Sequence, residues 1–235
     1  DVGISEADMV AVSKRTDYVT GLPADDDGAG GDPGPYTAHG IYLGLAAAVR
    51  HKLRRSLNGV HVAIQGTGSV GGRLAQLLAK DGAKLTLADV NTARAEALAA
   101  ELGGTAVSAD SIMSVPCDVF SPNALGGILD STSIAALDCA VVAGGANNQL
   151  ATAEHGRELA QRGILYAPDY VLNGGGIIAV TYEYLARREG VAVSTDTIDQ
   201  KIAGIPDRLE SIWQEAESSG QSVNIVADAM ARRAI

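Results

Sequence analysis

Short apolar runs alternate with amphipathic helical segments from residue 60 onward. The apolar runs are 60–65, 84–88, 105–107, 118–121, 139–143 and 164–167, and the clearest helical segments are 70–81, 92–102 and 153–161. Gly82, Gly103 and Gly163 each follow a helix at the position where a left-handed cap forms. The alternation indicates βαβ crossovers, so we predict an α/β fold: a Rossmann-type, doubly wound parallel sheet with flanking helices.

The two ends of the chain read mainly as helix. We predict a short helix over 5–15 and a longer one over 37–53, separated by a stretch at 20–35 that glycine and proline exclude from regular structure. A glycine-rich helix is predicted over 174–188, and a short terminal helix ends at Arg233. Between those two helices we expect one amphipathic helix from about Asp196, whose apolar stripe is Ile198, Ile202, Ile205, Leu209 and Ile212.

The first apolar run leads directly into a Gly-x-Gly-x-x-Gly loop. Its residues are Gly66, Thr67, Gly68, Ser69, Val70 and Gly71, with Gly72 following. In such a loop the first glycine makes the turn out of the strand, the second lets the backbone approach a pyrophosphate, and the third lets the next helix pack closely. Asp89 closes the second apolar run, where a carboxylate can accept hydrogen bonds from a ribose diol. Together these features predict a dinucleotide site.

The charge of Asp89 favours NAD over NADP. A carboxylate in a partly dry site would repel the 2′-phosphate that distinguishes NADP. Arg94 lies inside the following helix, which makes it a poor candidate to neutralise that phosphate. We expect Arg94 to be a solvated helix residue that pairs with a nearby glutamate.

The loops after the later strands carry glycines and amides. These loops are 121–127, 144–149 and 168–176, and they include Asn147 and Asn173. The two asparagines offer the donors and acceptors that a carboxamide needs, although each could instead cap the following helix. No lysine falls at these strand ends, and no serine-hydrolase elbow is present.

Composition and charge exclude several classes of binding partner. A net charge of −10 and a pI near 4.8 make nucleic acid and anionic membrane unsuitable partners. Cys117 and Cys139 each begin an apolar strand, where we expect small buried thiols. We see no targeting segment and no apolar stretch long enough to cross a membrane. We therefore expect a cytoplasmic protein. The four histidines lack metal-ligand spacing, so we expect no metal site.

Several segments resemble one enzyme family. The chain is similar to the Glu/Leu/Phe/Val amino-acid dehydrogenases, particularly the leucine, valine and phenylalanine branch, in segments 1–9, 31–40, 66–71, 117–127, 144–150 and 166–176. The resemblance implies NAD-dependent oxidative deamination of an apolar L-amino acid to its 2-oxo acid and ammonia. It also implies water activated by a lysine, and we expect a homo-oligomer.

The resemblance assigns roles by position. Asp1 would assist proton transfer, and Asn147 would approach the substrate. The residues implied to hold NAD are Thr37 near nicotinamide, Gly66 to Gly72 on pyrophosphate, Asp89 and Val90 on the adenosine ribose, Ser121 and Pro122 on the adenine side, Gly145, Ala146 and Asn147 on the nicotinamide ribose, and Asn173 on the carboxamide. Two positions depart from the family pattern, since Asn123 replaces a usual cysteine and Gly174 a usual alanine.

In the family a substrate domain with two essential lysines precedes the position of Asp1. We therefore expect this chain to supply the coenzyme-binding part and to be inactive alone. The expected parts are 1–34, a remnant of the substrate domain and linker; 35–190, the NAD-binding domain; and 191–235, helices that pack toward the substrate domain. The 198–212 stripe would then be uncovered unless that domain or another chain covers it.

Two other functions compete with this interpretation. An NAD-sensing module without catalysis could dock a partner through the 196–214 helix. A different nicotinamide oxidoreductase acting on a carbonyl compound would need a Tyr-x-x-x-Lys or a His/Asp arrangement, but Tyr182 is followed at 186 by alanine. We therefore discount the second of these alternatives.

Overall fold

A six-stranded parallel sheet forms the centre of the molecule. The computed structural model describes residues 4–23, 30–191 and 194–234, so Asp1 lies outside the described residues. The strands are β1 His61–Gln65, β2 Lys84–Ala88, β3 Thr105–Ala106, β4 Val119–Pro122, β5 Val141–Val142 and β6 Leu165–Tyr166. Their order is β3-β2-β1-β4-β5-β6, and every neighbouring pair is parallel. This arrangement confirms the predicted Rossmann-type sheet.

Helices cover both faces of the sheet and the C-terminal region. They are α1 Glu6–Ser13, α2 Gly34–Leu53, α3 Ser69–Lys80, α4 Thr92–Leu102, α5 Ser131–Ala136, α6 His155–Gln161, α7 Asp169–Leu172, α8 Gly174–Glu189, α9 Thr195–Ile202, α10 Ile205–Ser219 and α11 Val223–Ala234. Gly82, Gly103 and Gly163 have positive φ angles of 79°, 68° and 69°, which confirms the predicted left-handed caps. The short helices α5 and α7 were not predicted.

Side chains of the central strands alternate between two apolar clusters. Val62 and Ile64 of β1 pack in a cluster with residues of α2, α3 and α10, whereas Ala63 packs on the other face with residues of α5 and α6. Phe120 of β4 belongs to that second cluster and is almost fully buried. Strands that are buried on both faces read as continuous apolar runs, which explains why the sequence pattern located them.

Helix α2 is a central packing element. It begins at Gly34, earlier than the predicted residue 37, because Pro35 is tolerated in a first helical turn where its missing N–H has no partner. It packs against α3, α8 and α10, and Ile41 and Leu45 are fully buried. The first turn of α2 lies close to the start of α8, and this contact brings Thr37 to the sheet edge described below.

The single amphipathic helix expected from Asp196 is two helices in the structure. Helix α9 ends at Ile202 and α10 begins at Ile205, with Gly204 between them and Pro206 in the first turn of α10. The predicted stripe is not uncovered, because its five residues are 0–5 % exposed and pack in this chain's own core with α2 and α8. The expectation of an open stripe was wrong, because its partners are distant in sequence.

Trp213 fixes α10 to the sheet. Its side chain is fully buried, and its indole N–H donates to the carbonyl oxygen of Tyr166 on β6 at 3.0 Å. His51, in the last turn of α2, contacts the carboxylates of Glu210 and Glu217 on α10, both at 3.0 Å. The C-terminal helices therefore pack on the nucleotide-fold core of the same chain, and the predicted boundaries at 34/35 and 190/191 stay predictions.

The two cysteines precede β4 and β5 and carry protonated thiols. Burial, together with the neighbouring Cys139, raises the pKa of Cys117 to about 12, and burial raises the pKa of Cys139 to about 11. Both are free thiols. In the described part of the chain, no helix is both long and apolar enough to cross a membrane.

Candidate nucleotide-binding site

Because all the strands are parallel, their carboxyl ends meet at one edge of the sheet. The glycine loop follows β1 there, Asp89 follows β2, and the three amide-bearing loops follow β4, β5 and β6. The structure therefore brings together, at one edge, the residues that the sequence singled out for a dinucleotide.

The glycine loop forms an open cradle at this edge. Gly66 has a φ of 90°, and a Cβ there would lie 2.9 Å from the backbone carbonyl of Asn123. A Cβ on Gly71 would overlap the carbonyl oxygen of Gly66, so α3 can approach the loop only with glycine at that position. A Cβ on Gly68 would meet nothing within 4 Å, which leaves that position facing open space.

The N-terminus of α3 opens onto this cradle. No side chain in the described structure caps the first turn of α3, which starts at Ser69, so its backbone N–H groups and dipole can meet an anion. The Ser69 hydroxyl donates to Asp32 at 3.0 Å. The open position at Gly68 and the uncapped helix start fit a pyrophosphate.

Asp89 is buried beneath the glycine loop. Its Oδ2 accepts hydrogen bonds from the Thr67 N–H at 2.7 Å and the Thr67 hydroxyl at 3.0 Å, and its Oδ1 accepts from the Asn91 N–H at 2.8 Å. Burial by itself would raise the pKa of Asp89, but the bonds from Thr67, Arg94 and Asn91 outweigh it and lower the pKa to about 2. The carboxylate is therefore ionised at neutral pH.

Arg94 pairs with Asp89. One guanidinium nitrogen of Arg94 lies 2.7 Å and 2.9 Å from the two Asp89 oxygens, so the expectation that Arg94 pairs with a glutamate was wrong. Asn91 caps α4, and Arg94 lies in its first turn, where side chains point back toward the N-terminus and thus toward the end of β2. Val90, which lies between Asp89 and Asn91 in the chain, is 92 % exposed.

Asn123 joins two loops of the site. Its Nδ2 donates to the carbonyl and hydroxyl oxygens of Ser121, both at 3.0 Å, and its Oδ1 accepts from the Gly145 N–H at 2.9 Å. Ser121 and Pro122 are buried at this point of β4. The residue that replaces the family's usual cysteine therefore holds the loop after β4 against the loop after β5.

Asn147 and Asn173 meet across the loops after β5 and β6. The Asn173 Nδ2 donates to the Asn147 side-chain oxygen at 2.7 Å and to the Gly145 carbonyl at 3.2 Å. Although Asn173 precedes α8, its side chain does not cap that helix, so the capping interpretation of Asn173 does not hold. Asn147 is exposed, and Ala146 between it and Gly145 is buried.

A buried carboxylate that the sequence did not single out supports the Asn147 loop. Asp169 accepts from the Asn148 N–H at 2.8 Å and from the Tyr166 hydroxyl at 2.7 Å. Asn148 has a φ of 54°, a left-handed conformation in which asparagine is one of the few tolerated side chains. Burial first, and the neighbouring Asp169 second, raise the pKa of Tyr166. Only the proximity of Asp169 to the glycine-rich 174–176 stretch could have signalled it.

Thr37 reaches this same region from α2. Its hydroxyl donates to the Pro33 carbonyl at 3.0 Å, and a Cβ on Gly176 would overlap that hydroxyl oxygen. Thr37 therefore lies against the start of α8, next to the segment that carries Asn173. Among the described residues, no group of histidine, cysteine, aspartate or glutamate side chains could hold a metal ion.

The chain is similar to known amino-acid dehydrogenases. The sequence profile described as Glutamate/Leucine/Phenylalanine/Valine dehydrogenase matches residues 87–234. Leucine dehydrogenase from Thermoactinomyces intermedius is 41 % identical over 237 residues, covering 100 % of this chain and 63 % of that protein. L-tryptophan dehydrogenase from Nostoc punctiforme is 38 % identical, covering 98 % of this chain and 63 % of the relative.

Solved structures agree with this similarity. The crystal structure of the Nostoc punctiforme enzyme superposes with a TM-score of 0.84 at 36 % identity, covering 99 % of this chain and 65 % of that one. A hetero-hexameric glutamate dehydrogenase from Thermus thermophilus has a TM-score of 0.76 at 21 % identity, covering 97 % and 60 %, which shows a shared fold. The chain spans somewhat less than two thirds of the curated relatives it matches. It belongs to the Glutamate/Leucine/Phenylalanine/Valine dehydrogenase family.

Proposed function

We propose that this chain is the coenzyme-binding part of an enzyme that uses NAD to deaminate an apolar L-amino acid oxidatively, giving the 2-oxo acid and ammonia. The observation that carries the proposal is the shared sheet edge. There the open glycine cradle and the ionised Asp89 lie at one end, and the paired amides of Asn147 and Asn173 lie at the other. A molecule that carries a pyrophosphate, a ribose diol and a carboxamide matches the groups along this edge.

Each region of the edge has a part in holding the coenzyme under this proposal. The backbone of residues 66–72 holds pyrophosphate, Asp89 and Val90 border the adenosine ribose, and Ser121 and Pro122 form the adenine side. Gly145 to Asn147 border the nicotinamide ribose, with Thr37 near the nicotinamide. Asn173 orients the carboxamide, because its Nδ2 already bonds to an amide oxygen of the same chemistry at Asn147.

NAD, when bound, accepts a hydride from the amino-bearing carbon of the substrate. The chain's contribution to that step is orientation. Asn123 and Asp169 hold the loops after β5 and β6 in place before any ligand arrives. Asn147 would face the substrate, and Asp1, outside the described residues, would assist proton transfer.

Deamination also requires a base that activates water, and in the resemblance this base is a lysine. All five lysines of the chain lie within the described residues, namely Lys14, Lys52, Lys80, Lys84 and Lys201. Lys84 opens β2 at the opposite edge of the sheet, and Lys80 and Lys52 lie in the last turns of α3 and α2. Lys14 follows α1, and Lys201 lies in the last turn of α9. None of the five therefore lies in a loop at the carboxyl ends of the strands, which supports the proposal that the water-activating lysine comes from outside this chain.

The apolar substrate class is inferred from the relatives' names, which are leucine, phenylalanine and L-tryptophan dehydrogenases. The NAD-sensing alternative loses the surface that motivated it, because the 198–212 stripe is buried in this chain. Oligomeric assembly stays a prediction, and light scattering on the purified chain tests it.

Fluorescence titration of NADH against the purified chain tests the proposal. We expect micromolar binding and no turnover of leucine, valine or phenylalanine. Gly68→Asp places a carboxylate in the open cradle, where a new side chain meets nothing, so it should lower NADH affinity at least about 100-fold while the melting temperature is kept. Ser218→Asp, which adds the same charge near the end of α10, should bind NADH normally.

Two results would contradict this proposal. If the chain does not bind NADH, or if Gly68→Asp binds it as well as the unmodified chain does, the glycine cradle is not a coenzyme site. If the purified chain deaminates one of the three amino acids measurably, its own groups activate the water, and the assignment of the lysine to another segment is wrong.

A further inference from the structure

A charge-neutral pair lies at the end of β2, where the proposed function puts the adenosine ribose. The prediction that NADP is repelled assumed an unpaired carboxylate at Asp89. In the structure, the Arg94 guanidinium instead contacts both carboxylate oxygens, at 2.7 Å and 2.9 Å. The local net charge of the pair is zero, so the electrostatic reason for excluding a 2′-phosphate is largely removed.

The acceptor capacity of Asp89 is also taken up. Its two oxygens receive five contacts: two from Thr67, one from Asn91 and two from Arg94. An ionised carboxylate offers about four lone-pair sites. A ribose diol could therefore bond to Asp89 only after Arg94 moves away, because the Thr67 and Asn91 bonds belong to the loop and the helix cap.

Arg94 has donors to spare and room to use them. A single nitrogen, Nη2, makes both contacts with Asp89, and a guanidinium carries five N–H donors in a planar fork. The side chain is 49 % exposed, whereas that of Asp89 is 4 % exposed. Arginine binds phosphate through two parallel bonds more readily than lysine does. Arg94 therefore has guanidinium N–H groups that Asp89 does not use.

We propose that Arg94 is a coenzyme-selecting residue, and that through it this site accepts a 2′-phosphorylated coenzyme, NADP, as well as NAD. The inference rests on the proposed function, because it concerns the adenosine end of the same site. With NADP, Arg94 contacts the 2′-phosphate and keeps its bond to Asp89. With NAD, Arg94 swings into solvent and releases Asp89 to accept from the ribose hydroxyls.

Two small nucleotides isolate this end of the site. Adenosine 2′,5′-bisphosphate carries the distinguishing phosphate, and 5′-AMP lacks it. Calorimetric titration of the unmodified chain should give similar affinities for both, within about threefold. Arg94→Gln should lower the affinity for the bisphosphate about tenfold or more, because a charge-assisted bond to its 2′-phosphate is lost. The affinity for 5′-AMP should stay the same or rise, because Arg94 no longer competes with the ribose for Asp89.

The controls separate the role of Arg94 from its charge and from folding. Lys80→Gln removes one positive charge at the far end of α3 and should leave both affinities unchanged. Arg94→Lys keeps the charge without the fork, and it should lose less affinity for the bisphosphate than Arg94→Gln does. Circular dichroism melting checks that each variant is folded.

The outcomes distinguish this inference from the proposed function. If 5′-AMP binds and the bisphosphate binds over 100-fold more weakly to the unmodified chain, or if Arg94→Gln weakens both equally, Arg94 does not select the coenzyme, although the NAD site stands. If neither nucleotide nor NADH binds, the proposed function itself fails.

Discussion

The two halves of the candidate site are held together by different forces. In the adenosine half (residues 66–70, Asp89 and Arg94), a buried carboxylate is paired with a half-exposed guanidinium. In the nicotinamide half (Asn123, Asn147, Asp169 and Asn173), neutral amides bond to each other and to the backbone, and the one carboxylate bonds to a phenol and an N–H. The first half therefore depends on charge, and the second on hydrogen-bond geometry.

That difference has a practical meaning for coenzyme binding. The guanidinium of the Asp89–Arg94 pair is half-exposed, so this ion pair is weakened by salt and by acid, and Arg94 can exchange partners as a ligand arrives. In the nicotinamide half, the Tyr166–Asp169 bond is buried and is costly to break, because a group that loses its partner there stays buried. We expect the adenosine half to set coenzyme choice and the nicotinamide half to set the fixed geometry.

The largest expected effect is that of Asp169→Ala in the nicotinamide half. The change leaves the Tyr166 hydroxyl and the Asn148 N–H without their partner, so the free energy of unfolding should fall by about 3 kcal/mol. Urea denaturation measures it. NADH affinity should fall while 5′-AMP affinity is kept, since the adenosine half is untouched. Asp169→Asn, which keeps an acceptor, is the matched control and should lose less. A loss below about 1 kcal/mol for Asp169→Ala would mean that this network is not essential.

Asp89→Asn should have the next largest effect, and it should depend on pH. The pKa of Asp89 is lowered from 3.8 to about 2 in the folded chain. The ionised carboxylate therefore stabilises the fold above about pH 4, and this stabilisation is lost as the pH falls toward 2. The shift corresponds to about 2 kcal/mol at neutral pH. Urea denaturation of the unmodified chain and of Asp89→Asn, at pH 7 and at pH 3, measures the free energy of unfolding of each. The difference between the two should be smaller at pH 3. A difference that stays constant would contradict a role for the ionised carboxylate.

Asn123→Cys should give the smallest of the three effects. It installs the residue usual in the family and removes the bonds to Ser121 and Gly145. Because Asn123 is only half-buried, water replaces part of the loss, and the free energy of unfolding should fall by about 1 kcal/mol. NADH affinity should fall a few-fold by fluorescence titration. An unchanged stability and affinity would show that the bridge between the two loops is dispensable.

The parts of the fold that the sequence predicted well are those set by local rules. The glycine loop, the six apolar runs and the left-handed caps all depend on neighbours within a few residues, and all are present. The 198–212 stripe was misassigned because its helical spacing runs through the break at Gly204, and because only the folded chain shows that α2 and α8 cover it.

The candidate site divides in the same way. Asp89 and the glycine loop follow from a motif, whereas the Asn123–Gly145 and Asn148–Asp169 bonds join loops that are separated in sequence by a strand or more. Arg94 was misassigned although it is close to Asp89 in sequence. Its direction, back toward the start of α4, decides its partner, and spacing alone suggested a glutamate instead.

Trp213 gives the molecule a built-in optical reporter. It is the chain's one tryptophan, and its indole N–H is bonded to the backbone of Tyr166, whose hydroxyl bonds to Asp169. Fluorescence excited selectively in the indole ring therefore comes from one position, which Tyr166 connects to Asp169. Changes in its wavelength or lifetime report on that network without any label.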